Sequence, residues 1–270
     1  MDEPIPILAN HCHLMPPNSW RPGDRDMLLR HLDALGIDSA VVFAPFAVQM
    51  GGDLWRANAW VLEQVAGSPR LIPFATICPV HPEATAVLER MHAAGVRGCK
   101  VHPAIEPYDL TEPRAMAFYA AAADLGVVLD FHTGVHRSPL ALSDPLKFDS
   151  MLWSVPGLRI ILEHAGGRAF YEMMLAIAAN HGGASPRAFL GVTSVLEHDN
   201  WEWHLGPARV KEMAECVGAA QLVFGLDFPW HSLDDNRAAL EALRGMGLPR
   251  AGLEALLGGT LRRLLGLAGP

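Results

Sequence analysis

Eight short apolar runs, rich in β-branched residues, recur about every 30 residues along the chain. They span 6–14, 39–46, 71–79, 96–103, 126–134, 158–166, 189–195 and 221–230. That repeat is the length of one strand–helix unit with its loops. Most runs are continuously apolar rather than alternating, the pattern of strands covered on both faces in a parallel sheet. The stretches between them carry helical spacing. In "RDMLLRHLDALGI", Leu28, Leu32 and Leu35 fall on one face and Gly36 is placed to stop the helix. "PEATAVLERMHAAGV" opens with Pro82 and Glu83 and closes at Gly95, and "AGLEALLGGTLRRLLGL" predicts a closing amphipathic helix interrupted at Gly258 and Gly259. Eight such units predict a (β/α)8 TIM barrel, with residues 1–270 as one domain. The competing arrangement, an open doubly wound sheet, would carry a glycine-rich phosphate loop after its first strand. Here the first run, "PILANHCHL", ends in histidines and is followed by prolines.

Composition narrows the class of partner. The 270 residues are 50% hydrophobic and 19% charged, with a formal net charge of −8. That balance argues against nucleic acid, whose phosphates need clustered Lys and Arg. No apolar run approaches the roughly 20 residues that span a bilayer, and the N-terminus lacks the basic region of a signal peptide. Cys12, Cys78, Cys99 and Cys216 are scattered without metal-type spacing, which suggests reduced thiols and a cytoplasmic protein. Cys12 is expected to be a small buried thiol on the face opposite its neighbouring histidines.

Polar residues gather where the strands end, and active sites of such barrels lie at the C-terminal ends of the strands. The first run ends in His11 and His13, the fourth in Lys100 and His102, and the fifth in Asp130 and His132. The sixth ends in His164 and the eighth in Asp227. Members of each pair stand two apart, so they share a face of their strand and can point into the barrel mouth. A lone histidine is weak grounds for a ligand, and His31, His81, His92 and His181 read as solvated residues of helices and turns. Four histidines and an aspartate on four separate strands are different. Packing that many polar groups in a barrel has a desolvation cost unless something satisfies them, and imidazole with carboxylate is a donor set for zinc-like ions. The alternative is a polar core satisfied internally.

The ordered fragments "HCH" (11–13), "FHTG" (131–134), "EHAGG" (163–167), "GLDFP" (225–229) and "LGGTLRRLLGL" resemble the amidohydrolase superfamily. Within it, they resemble the branch that also holds aminocarboxymuconate semialdehyde decarboxylase and pyrone dicarboxylate lactonase. The resemblance implies that His11, His13, His132 and Asp227 hold one divalent metal ion, with zinc the first expectation. It also implies that Asp227 takes a proton from a metal-activated water, while His164 polarises the substrate or acts as acid/base. In some branches the residue matching His164 also ligates metal. Three positions depart from the family pattern. Ala9 stands where the first-strand motif usually begins with Asp, Leu226 replaces a small polar residue, and Thr260 replaces an asparagine.

The expected reaction is hydrolysis of a small carboxylate-bearing ester, lactone or amide. The alternatives are non-oxidative decarboxylation of an aromatic or enoic acid on the same metal, and a metal-binding barrel without catalysis. Lys100 is read first as a cation for a substrate carboxylate, against a bridging carbamate or a structural ion pair. His102, His136, Arg137 and Arg168 are further candidate substrate contacts, since Arg pairs well with carboxylates. The aromatic segment "DNWEWHLG" (199–206) either roofs the pocket or packs against a second copy of the chain, which leaves a homo-oligomer open. No nucleic-acid or membrane partner is expected.

Overall fold

Nine parallel strands follow one another around a barrel in chain order. They are β1 (Leu8–His13), β2 (Ser39–Phe43), β3 (Leu71–Thr76), β4 (Gly98–Val101), β5 (Val128–His132), β6 (Ile160–Glu163), β7 (Ala188–Gly191), β8 (Leu222–Val223) and β9 (Gly225–Phe228). The computed structural model describes residues 3–17 and 19–268. β8 and β9 are the two halves of the eighth expected run, parted at Phe224. β8 pairs with β7 and β9 with β1, so the ring closes through this split strand. At the break the Phe224 N–H donates to the Leu256 carbonyl at 3.2 Å, and its own carbonyl accepts from the Asn10 N–H at 2.8 Å. A helix follows each of the eight barrel positions, giving the (β/α)8 architecture.

The helices form where the spacing places them. Arg25–Leu35 buries Leu28, Leu32 and Leu35; Asp24 caps its start by accepting from the Met27 N–H at 2.8 Å, and Gly36 ends it at φ 65°. The strands are shorter than their apolar runs. The run at 71–79, for example, stops pairing at Thr76, because the residues beyond it turn into loops that remain buried against the barrel top.

The lower half of the barrel is apolar. Leu8, Val41, Phe43, Phe74, Val128 and Ile161 point inward and are sealed below by Leu261, Leu264 and Leu265 of the closing helix. Full burial of each such side chain contributes about 1.5–3 kcal/mol. Gly258 is what lets that helix approach, since a Cβ there would sit 2.6 Å from the backbone nitrogen of Leu8. No helix among the described residues is long and apolar enough to cross a membrane. Cys12 and Cys99 are buried, Cys78 is half-buried and Cys216 exposed, all as free thiols.

Candidate functional site

Above this apolar floor the barrel interior turns polar. Lys100 on β4 is fully buried and its Nζ donates to Asp130 Oδ1 on β5 at 2.8 Å. Asn10 on β1 bridges two carboxylates, donating from Nδ2 to Asp130 Oδ2 at 2.7 Å and to Glu163 Oε1 on β6 at 2.6 Å. Burial and the neighbouring Asp130 charge push the Glu163 carboxyl well above the usual range. Four side chains from four strands thus form a hydrogen-bonded chain beneath the histidines, with Asn10 Oδ1 and Glu163 Oε2 left buried without a partner.

The next layer holds the candidate ligands. β1 carries an irregularity between Ala9 and Cys12, and His11 adopts φ 62°. This turn keeps His11 and His13 on the inner side, while Ala9 and Cys12 face the outer core. His11 Nε2 and His13 Nε2 lie 3.5 and 3.6 Å from the same oxygen, Asp227 Oδ1. Behind the ring, His11 Nδ1 faces Glu163 Oε1 at 3.4 Å, the arrangement in which a carboxylic group orients a metal-binding imidazole. His164 and Asp227 also have positive φ, 63° and 50°, as does Ser194 at 63°. Non-glycine residues held there are costly and concentrate at functional sites.

His164 has its tautomer fixed by the chain. Its Nδ1 lies 3.0 Å from the Thr193 carbonyl, which can only accept, so Nδ1 carries the hydrogen and Nε2 the lone pair. That lone pair faces His132 Nδ1 at 3.2 Å, which leaves His132 donating there and its own Nε2 buried without a partner. The donor atoms of His11, His164 and Asp227 all fall within 4.8 Å of one another. His132 groups instead with His102 and His136, its ring stacked on His102 at 4.0 Å. The expected ligands are therefore drawn together as His11, His13 and Asp227, with His164 alongside and His132 one ring further out.

Burial lowers the proton affinity of these rings. His11, His102, His132 and His164 are pushed well below the ordinary value, with Lys100 adding to the effect, and His13 is pushed down to about 3. Neutral imidazoles, one carboxylate and the buried, unpartnered Nε2 of His132 fit a divalent cation by donor type. Burial raises Asp227, opposed by His231 and by a hydrogen bond from Ser194. Ser194 Oγ donates to Asp227 Oδ2 at 3.0 Å and sits 2.8 Å from His231 Nε2, so Asp227 meets the ligand side with one oxygen and a hydroxyl–imidazole chain with the other.

The cavity over this layer has a volume of about 580 Å³. His102 and His136 line it, as expected. Three other expectations require correction. Lys100 does not reach the mouth, because Asp130 holds its ammonium below the histidine layer. Arg137 and Arg168 are exposed and lie outside the lining; the backbone N–H of Arg168 is tied to the Glu202 carbonyl at 3.0 Å. Among the described residues no Lys or Arg lines the cavity. Trp203, from the aromatic segment, roofs the pocket with its ring centroid 5.1 Å from that of His164, whereas Trp201 is exposed. His181, expected to be solvated, is buried between Asp149 at 2.9 Å and Arg187 at 3.0 Å.

Asn10, Glu163, Thr193, Ser194 and His231 were not singled out from sequence. Glu163, Thr193 and Ser194 sit at or just beyond strand ends, so the same strand-end rule, applied to every polar residue, would have found them, whereas Asn10 lies inside β1. His231 follows Asp227 by one helical turn and carries no such signal.

The family model described as "Amidohydrolase" matches residues 10–267. No curated protein matches the chain in sequence. Among solved structures, an uncharacterized TIM-barrel protein from Bordetella bronchiseptica superposes with a TM-score of 0.76 at 19% identity, covering 96% of this chain and 98% of that one. A dihydroxybenzoic acid decarboxylase from Polaromonas sp. JS666, with bound manganese and the inhibitor 2-nitroresorcinol, gives 0.71 at 16% identity and 97% coverage of both chains. A probable 2-pyrone-4,6-dicarboxylic acid hydrolase from Acinetobacter baumannii, with citric acid bound, gives 0.63 at 13%, covering 97% and 99%. At these identities the likeness concerns the fold.

Proposed function

Because the chain belongs to the amidohydrolase family, we propose that it is a metal-dependent hydrolase acting on a small ester, lactone or amide. His11, His13 and Asp227 would hold the cation, with His164 or His132 completing the set, and zinc suits imidazole and carboxylate donors. When bound, such an ion supplies Lewis-acid polarisation of a substrate oxygen.

The observation that carries this reading is the two-sided bonding of Asp227. A general base must accept a proton and then release it. Burial raises the proton affinity of Asp227, and Ser194 and His231 form a chain through which the proton can leave or return. The fixed tautomer of His164 directs a lone pair, not an N–H, into the site. This favours His164 as a ligand or proton acceptor over a donor to a developing oxyanion.

A second reading, decarboxylation, is favoured by one feature. The lining has aromatic walls and no Lys or Arg, which suits the ring of an aromatic acid whose carboxylate would face the cation. In that case Asp227 would deliver a proton to carbon.

Turnover in ¹⁸O-labelled water separates the two: label in a product carboxylate supports hydrolysis, and carbon dioxide release with no label in the remaining organic product supports decarboxylation. Metal analysis of purified protein with the His11→Ala and Asp227→Ala variants tests the ligand set. Both variants are expected to lose the ion, and full retention in either removes that residue from the set.

A further inference from the structure

Two side chains in the cavity wall have their acceptor atoms taken by the main chain. His102 stands just beyond β4, and its Nδ1 accepts from the Ile105 N–H at 3.3 Å. An N–H can meet only a lone pair, so the ring hydrogen sits on Nε2. Gln49 belongs to the short helical turn Ala47–Met50 after β2, and its Oε1 accepts from the Phe46 N–H at 2.8 Å. The amide oxygen therefore faces the backbone and the Nε2 amino group is left over. Neither Nε2 is sealed in the interior, and His102 and Gln49 both line the cavity. A backbone donor thus decides, in each case, that the side chain presents N–H rather than a lone pair.

The two donors belong to one corner of the barrel top. β2 and β4 flank β3 in the ring. Phe46, whose main chain holds Gln49, sets its ring edge-on to His102 with centroids 5.6 Å apart. His102 lies flat against His132 at 4.0 Å with planes 9° apart, and His136 stands edge-on to it at 4.8 Å. These contacts fix the imidazole and also separate it from cation binding. The nitrogens of His102, His132 and His136 are close enough for a second ion by distance. A ring that accepts at Nδ1 and carries hydrogen on Nε2 has no lone pair left to give, and lone pairs in parallel rings run side by side without converging.

We propose that His102 and Gln49 are the substrate's hydrogen-bond donors, two uncharged N–H groups that take a carbonyl or carboxylate oxygen on the substrate body. The inference rests on reading this cavity as the substrate pocket. It supplies the N–H that His164, with its lone pair directed into the site, does not. A substrate without that oxygen leaves the donors facing an apolar group, which forfeits their hydrogen bonds and weakens binding.

Calorimetry on the metal-replete protein tests this with para-acetylphenylphosphonate against para-isopropylphenylphosphonate, and with the two meta isomers. Acetyl and isopropyl have nearly the same branched shape, and only the first carries an oxygen. None of the four probes contains an ester, lactone, amide or carboxylate, so neither proposed reaction consumes them. In at least one isomer pair the acetyl probe should bind about 3- to 10-fold tighter. His102→Phe keeps a ring against His132 and removes the N–H; Gln49→Glu keeps the acceptor for Phe46 and removes the amino group. Each should shrink the acetyl preference to below about 2-fold. Equal binding within both isomer pairs, no measurable binding, or an unchanged preference in either variant overturns the pair. The ¹⁵N resonances of the His102 ring, assigned by their loss in His102→Phe, should mark Nδ1 as the bare nitrogen, and a hydrogen there overturns the inference before any probe is added. If the acetyl preference holds but no ester, lactone or amide is turned over, the reaction assignment fails and the donor pair stands.

Discussion

Lys100→Met removes the only ammonium in the barrel's polar network and separates two roles for that residue. Lys100 is fully buried and bonded to Asp130 at 2.8 Å, while the other Asp130 oxygen is held by Asn10 at 2.7 Å. Methionine fills nearly the same volume, so the perturbation is the loss of the charge and its hydrogen bond, not a cavity. Breaking a buried pair by deleting one partner costs about 3–5 kcal/mol, because the surviving charge stays desolvated. Unfolding entropy of about 2.1 cal/mol/K per residue over 270 residues amounts to about 0.6 kcal/mol/K, so the melting midpoint should fall by about 5–9 °C. The double variant Lys100→Met/Asp130→Asn should recover at least half of the loss, since no uncompensated carboxylate remains. The assay is thermal and urea unfolding of the four proteins of the cycle, alongside KM for any substrate found. A melting point within 1 °C of the parent together with a raised KM for a carboxylated substrate would refute the buried-pair reading and return Lys100 to the substrate.

Ser194→Ala cuts the path from Asp227 to His231 and should lower kcat by about 10- to 100-fold with KM little changed, as measured by steady-state kinetics; an unaltered kcat would remove the relay from the mechanism. Gly98→Ala would place a Cβ 2.1 Å from the Phe74 ring in the barrel floor, and overpacking of this kind should cost about 1–3 kcal/mol in urea unfolding. The pH dependence of the metal-free protein has a defined sign. His11, His13, His102, His132 and His164 have native proton affinities lowered by burial, so below about pH 6.5 the unfolded chain binds protons the native state refuses, and stability falls with pH. Glu163 and Asp227, raised by burial, act the other way. Each group whose protonation differs fully between the two states contributes about 1.4 kcal/mol per pH unit, so the lowered imidazoles should cost stability as the pH falls from about 6 to 5. A urea midpoint that does not move between pH 7 and 5.5 would contradict the buried, neutral state of these rings.

The repeat of apolar runs and helical faces was enough to determine the barrel, because parallel strands buried on both sides leave a continuous apolar signature in the local sequence. It also determined that His11, His13, His102, His132, His164 and Asp227 meet at one end, since strand ends converge in this fold and side chains two apart share a face. What the sequence could not hold was the partner of each polar group. Lys100 looked like a substrate cation until β5 placed Asp130 beside it, and Ala9 looked like a missing carboxylate until the irregularity in β1 turned Asn10 inward to bridge Asp130 and Glu163. Arg137 and Arg168 follow strand ends yet point to solvent, because a loop's course depends on what it packs against rather than on its own residues. Hydrogen bonding between residues 120 and 153 positions apart is a property of the closed ring. Only the tertiary structure decides it.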